Sequence, residues 1–123
     1  MLKDIDNIKI PVKIGEKQLY LRYNLNSRLY LEYMTDYDKL TNTPPDLWSV
    51  EDTLHYLRAL LIDNYYEDNK DSINMRDFDS VKPTISELGQ LLSDFDIDEL
   101  ILSITEAIVT SLPDLPVVED ENF

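Results

Sequence analysis

His55, the only histidine of the chain, sits in Leu54-His55-Tyr56-Leu57, and an imidazole is the side chain best suited to proton transfer near neutral pH. A catalytic base needs a nucleophile or a second polar partner. Neither stands at a recognisable spacing from His55, so a structural role is expected for it. Asp94-Phe95-Asp96-Ile97-Asp98 has the carboxylate alternation that opens a calcium loop. Such a loop needs Gly at its sixth position and Glu at its twelfth, where this chain has Glu99 and Thr105. Ile97 and Leu100 also belong to an apolar stripe, so helix-capping carboxylates account for the cluster. Gly15 and Gly89 are the only glycines, and there is no cysteine. Glycine-rich phosphate loops, disulfides, thiolate chemistry and Cys-based zinc sites are thereby excluded. No catalytic, metal or cofactor-binding residue is expected, and the chain reads as a non-enzyme.

Charge narrows the partners. Residues 1–61 hold nine carboxylates and eight Lys or Arg, whereas residues 62–123 hold sixteen carboxylates against Lys70, Arg76 and Lys82. Beyond Lys82 there is no basic residue, and the net charge is −14. Such a surface repels phosphate backbones, so no nucleic acid is expected as a direct ligand. It favours solubility or a basic partner. The eight tyrosines suit either the edge of a core or a surface that is apolar yet wet.

The elements that position these residues follow from periodicity. Ile8, Ile10, Val12 and Ile14 alternate with polar residues, Gly15-Glu16 suits a type II′ turn, and Gln18 to Tyr23 makes the return strand. Pro11 cannot donate to a ladder, which places the first strand at an edge. From Ser27 to about Lys39 the spacing becomes helical, with Tyr30, Tyr33, Met34 and Tyr37 on one stripe, and Pro44-Pro45 stops the run. Asn24 and Asn26 can accept from the first-turn N–H groups. A second helix starts near Ser49 and carries Leu54, Leu57, Leu61 and Tyr65.

Tyr66 to Lys82 reads as a polar excursion. Thr84 and Glu87 have capping-box spacing at the head of a third helix bearing Ile85, Leu88, Leu91, Leu92 and Phe95. Gly89 inside it suggests the close approach of another backbone. Asp96 and Glu99 repeat the capping-box spacing before a fourth helix with Ile97, Leu100, Ile101, Ile104 and Ile108 on its core stripe. The expected fold is mainly α with an N-terminal β-hairpin, about four helices on a short antiparallel ribbon. Residues 1–112 form a single domain, and 113–123 an acidic tail. Met1 to Asp6 is too polar for a signal peptide, and no apolar run approaches the roughly 20 residues of a membrane span. A cytoplasmic protein is expected.

Several apolar residues fall outside these stripes. Trp48, Ile62 and Tyr66 lie on the flank of the second helix, and Leu102 and Val109 lie off the stripe of the fourth, between Asp98 and Glu106. Either a further core layer or a partner must cover them, and they are the candidate partner-binding residues.

Tyr20-Leu21-Arg22-Tyr23-Asn24-Leu25-Asn26-Ser27 resembles the strand-to-helix start of tail assembly chaperones from long-tailed phages of Gram-positive bacteria. Leu57-Arg58-Ala59-Leu60-Leu61, Thr84-Ile85-Ser86-Glu87-Leu88-Gly89-Gln90-Leu91-Leu92 and Asp98-Glu99-Leu100 through Glu106-Ala107-Ile108 continue the resemblance, which spans nearly the whole chain to Leu112. Thr35-Asp36 and Pro44-Pro45 stand where the family has a Gly-containing turn. The resemblance implies a protein, alone or as a homo-oligomer, that coats the helical, hydrophobic tape measure protein until tail tube protein displaces it. Such a protein works in the host bacterial cytoplasm and is absent from the mature virion. A competing expectation from the charge alone is an acidic DNA mimic that blocks a host nucleic-acid-binding protein. A mimic should array carboxylates on one rigid face, whereas many here sit at helix starts, in the excursion or in the tail.

Overall fold

The computed structural model describes residues 10–69 and 83–111. Strand β1 (Ile10–Ile14) pairs antiparallel with β2 (Lys17–Leu21), in the register Ile14↔Lys17, Val12↔Leu19 and Ile10↔Leu21. Among the described residues five helices follow: α1 (Leu25–Met34), α2 (Tyr37–Thr41), α3 (Val50–Asn69), α4 (Ile85–Leu91) and α5 (Asp94–Ser111), with a 3₁₀ turn at Pro45–Leu47 before α3. The fold is therefore the expected helical domain on a two-stranded hairpin. The expected strand residue Ile8 and the tail 113–123 lie outside the described residues.

The hairpin obeys its period. Ile14 and Leu21 are buried, Ile10, Val12 and Leu19 pack against the core, and Pro11 and Lys13 face outward. Gly15 has φ +63°, and no described non-glycine residue has a positive φ, as a type II′ turn with Gly first requires. A side chain there would also sit 3.3 Å from Leu91 Cδ2. The two-residue loop makes Ile14 and Lys17 a hydrogen-bonded pair, so Pro11 and Tyr20 fall at a position whose amides point out of the ladder. Pro11 thus forfeits no ladder bond. Tyr20, on the opposite edge, finds a partner in α3: its N–H donates to Asn64 Oδ1 (3.3 Å), and its carbonyl accepts from Asn64 Nδ2 (2.7 Å). The Arg22 N–H continues the same edge by donating to the Leu60 carbonyl at 3.0 Å.

Asn24 starts α1 two residues earlier than the apolar pattern suggests. Its side chain accepts from the Asn26 and Ser27 amides, and Ser27 Oγ in return accepts from the Asn24 N–H, a reciprocal cap. The Asn24 amide donates to Asp63 on α3 at 2.7 Å, which fixes where the helix begins. The expected single helix to Lys39 is two helices. Thr35 turns its hydroxyl onto the Leu31 carbonyl (2.6 Å), and Asp36 caps α2 by accepting from the Lys39 N–H. Residues of this type favour such local bonds over helix continuation.

The buried stripe of α1 is accordingly Ser27, Tyr30 and Leu31, and Tyr33 is 49% exposed. Ser49 and Asp52 cap α3 reciprocally, at 3.0 Å in both directions. The expected excursion from Tyr66 begins later, since α3 continues to Asn69; residues 70–82 lie outside the described residues. Thr84 and Glu87 form the expected capping box of α4. Leu92 ends that helix, so Phe95 belongs to α5. The cap at the start of α5 is made by Ser93 with Asp96 rather than by Asp96 with Glu99.

α3 is the centre of the domain, with Leu54, Tyr56, Leu57, Ala59, Leu60, Leu61 and Ile62 all buried. α1, α4, α5 and β2 each pack on it. Gly89 faces open space, with nothing within 4 Å of where a Cβ would stand, so no backbone approaches it closely. A helical glycine without a steric reason costs conformational entropy. Gly89→Ala should raise stability by about 0.5–1 kcal/mol, read as a shift of the urea midpoint at unchanged slope. A loss of stability would mean that α4 is not helical at this position.

Candidate protein-binding surface

Four of the five candidate partner-binding residues separate into two groups. Ile62 is fully buried in the core of α3. Trp48 is half-buried: its ring stacks on Tyr56 at 4.4 Å between centroids, and its Nε1–H donates to the Thr43 carbonyl at 3.1 Å. Both belong to a further core layer rather than to a free surface: Ile62 because α3 is enclosed on nearly every side, Trp48 because it packs against the core from just before that helix. Tyr66 lies on the helical backbone of α3; its side chain lies outside the described residues. Leu102 and Val109 are 70% and 65% exposed on α5. Seven residues apart, they stand two turns from each other on one face, roughly 10 Å along the axis.

α5 earns its place by its opposite side. Leu100, Ile104 and Ala107 are buried, and Ile97 and Ile108 pack against the core. That stripe meets α3 and the hairpin, and it fixes the rotation of the helix. With the stripe inward, Leu102 and Val109 have nowhere to point but out. An exposed Leu or Val alone is ordinary; these two are aligned and make a short apolar ridge on one helix face.

His55 belongs to a buried polar network that the chain pattern did not reveal. Arg58 is nearly fully buried and donates from Nη1 to Tyr30 Oη (2.8 Å) and from Nε to the Pro83 carbonyl (3.1 Å). Its guanidinium also lies 5.2 Å from the centre of the Tyr30 ring. Since guanidinium only donates, Tyr30 Oη accepts there, and it also shares a hydrogen bond with His55 Nδ1, 3.0 Å away. The other ring nitrogen, Nε2, faces Glu51 at 3.9 Å. Burial, and then the Arg58 charge, hold the His55 pKa below its ordinary value. The network ties α1, α3 and the start of α4 together. Arg58 in Leu57-Arg58-Ala59-Leu60 was the available signal: a lone cation inside an apolar helical run.

The tyrosines divide similarly. Tyr30 is wholly buried, and burial pushes the Tyr23 and Tyr56 hydroxyls up to about 12, with a Tyr37 hydrogen bond adding to the effect at Tyr23. Tyr20 and Tyr33 are exposed. Among the described residues no group of His, Cys, Asp and Glu is arranged to hold a metal ion, and no helix is long and apolar enough to cross a membrane. A cleft of about 490 Å³ opens between β1 and the α4–α5 corner, lined by Val12, Leu91, Leu92 and Leu100 with Asp96 and Glu99 beside them. Asp96 is there a helix cap. Comparisons with protein-family models, curated proteins and solved structures found no match.

The depressed His55 pKa gives a pH dependence of known sign. The folded state disfavours imidazolium, so the unfolded chain binds the extra proton first. The contribution of His55 is fully present above its unfolded value of about 6.5 and is lost as pH falls through its folded value. The stability difference between wild type and His55→Gln should therefore shrink from about pH 7.5 to pH 5, measured by urea denaturation at each pH. Parallel profiles for the two proteins would show that the imidazole is not held neutral by the fold.

Proposed function

We propose that this chain is a phage tail assembly chaperone that binds and solubilises the tape measure protein during tail morphogenesis. Its client surface is the outward face of α5. The observation that carries this reading is the exposure of Leu102 and Val109, aligned on a helix whose other side is committed to the core. The resemblance of Tyr20–Ser27 and of the later segments to that family supports the reading, and the net charge of −14 keeps a protein that displays apolar side chains in solution. An amphipathic helix of the client lays its apolar residues along this ridge. Many copies acting together need only moderate affinity per site, so tail tube protein displaces them as the tube grows. The chaperone then remains in the host cytoplasm and is absent from the mature virion.

The test is Leu102→Asp combined with Val109→Asp, co-expressed with fragments of the tape measure protein. Because both positions are mostly exposed, stability should change by less than about 1 kcal/mol, and circular dichroism should be unchanged. Co-purification of the fragments should fall strongly, since a few apolar anchors dominate such interfaces. Capture that survives the double substitution, or that vanishes merely on raising salt, overturns this client surface. Salt-sensitive capture of a basic DNA-binding protein in its place would favour a DNA mimic.

A further inference from the structure

The apolar ridge of α5 has charged flanks of one sign. Glu99 and Glu106 are exposed and, like Leu102 and Val109, stand seven residues apart. At roughly 100° per residue they run along one side of the ridge, with Asp98 on the other. α5 contains no Lys or Arg, and none occurs anywhere after Lys82. Two seven-residue spacings, one apolar and one acidic, side by side on one helix match a helical partner whose own residues repeat every seven.

Resting on the reading of α5 as the client surface, we infer that its occupant is an amphipathic helix of another protein with an apolar seam and Lys or Arg seven residues apart beside it. The apolar seam covers Leu102 and Val109, and the basic residues face Glu99 and Glu106. Charge complementarity selects this occupant over the α5 of a second copy of the chain. An α5 from another copy brings the same carboxylates and no cation, so the pairing that covers the apolar ridge sets like charges against each other. The flanks thus act as a selectivity filter: the ridge supplies adhesion, and the carboxylates repel acidic helices, the α5 of another copy included. Charged rim groups of this kind set partner choice more than total affinity.

The experiment uses the full chain and two synthetic helical peptides with the same leucine seam, one flanked by Lys and one by Glu, followed by fluorescence anisotropy. The Lys-flanked peptide should bind about tenfold tighter at low salt. That gap should narrow at high salt, while binding itself persists. Glu99→Lys with Glu106→Lys should reverse the order of the two peptides, and Glu99→Gln with Glu106→Gln should level it. Leu102→Asp with Val109→Asp should remove binding of both. Unchanged denaturation midpoints keep these variants interpretable, since all four positions are exposed. Equal binding of the two peptides, a preference that survives the Lys variant, or binding of neither peptide overturns the inference. Tape measure fragments captured by wild type and by the Lys variant alike would leave the client reading standing and refute the flank selectivity. Peptide preference and reversal without any capture of tape measure fragments would do the opposite.

Discussion

A two-stranded hairpin has an unladdered edge on each strand and one apolar face, and alone it is marginal in water. Here α3 supplies what the hairpin lacks. The Asn64 side-chain amide satisfies both the N–H and the carbonyl of Tyr20, in the manner of a third strand. The Leu60 carbonyl then takes the Arg22 amide. One turn away in sequence, Asp63 accepts from the Asn24 side chain, the cap that starts α1. A single stretch of α3 therefore completes the outer edge of β2, sets the turn out of the sheet and fixes the beginning of the next helix. The other edge needs less, because Pro11 has no donor there to satisfy.

This arrangement explains why α3 is apolar around most of its girth. It is enclosed by α1, α4, α5 and β2, so nearly every position from Leu54 to Ile62 is covered. Polar groups persist within it only where their bonding is specified. Arg58 reaches the Tyr30 hydroxyl and the Pro83 carbonyl, and the Tyr30 hydroxyl in turn bonds to His55. A buried cation is expensive unless its donors are used, and using them joins the start of α4 to α1 through the central helix. The single histidine is thereby drawn into holding helices together.

α5 differs because it is packed from one side only. Its buried stripe fixes its rotation, and the remaining surface is free to be specialised. On the reading proposed above, the outward face combines adhesive and repulsive groups. A protein meant to hold a client and then release it gains from such a surface, since selectivity does not then require a tight contact.

The sequence by itself determined the hairpin with its Gly15 turn, the number and order of the longer helices, the caps at Ser49 and Thr84, and the predominance of acid after residue 61. Each of these is local: a period of two or 3.6, a turn residue, or a cap within four positions of its partner. Only the tertiary structure decided which off-stripe apolar residues are free. Ile62 and Leu102 look alike in a hydropathy pattern, yet one is enclosed and the other is 70% exposed. The difference is how many elements surround each helix, which no local spacing records. The break at Thr35-Asp36 was weakly marked, since helical periodicity continues across it until the two side chains bond locally. The Asn64–Tyr20 and Arg58–Tyr30 contacts were not legible at all. They join residues 44 and 28 positions apart, and a polar side chain inside a helical run does not declare its partner until the chain has folded around it.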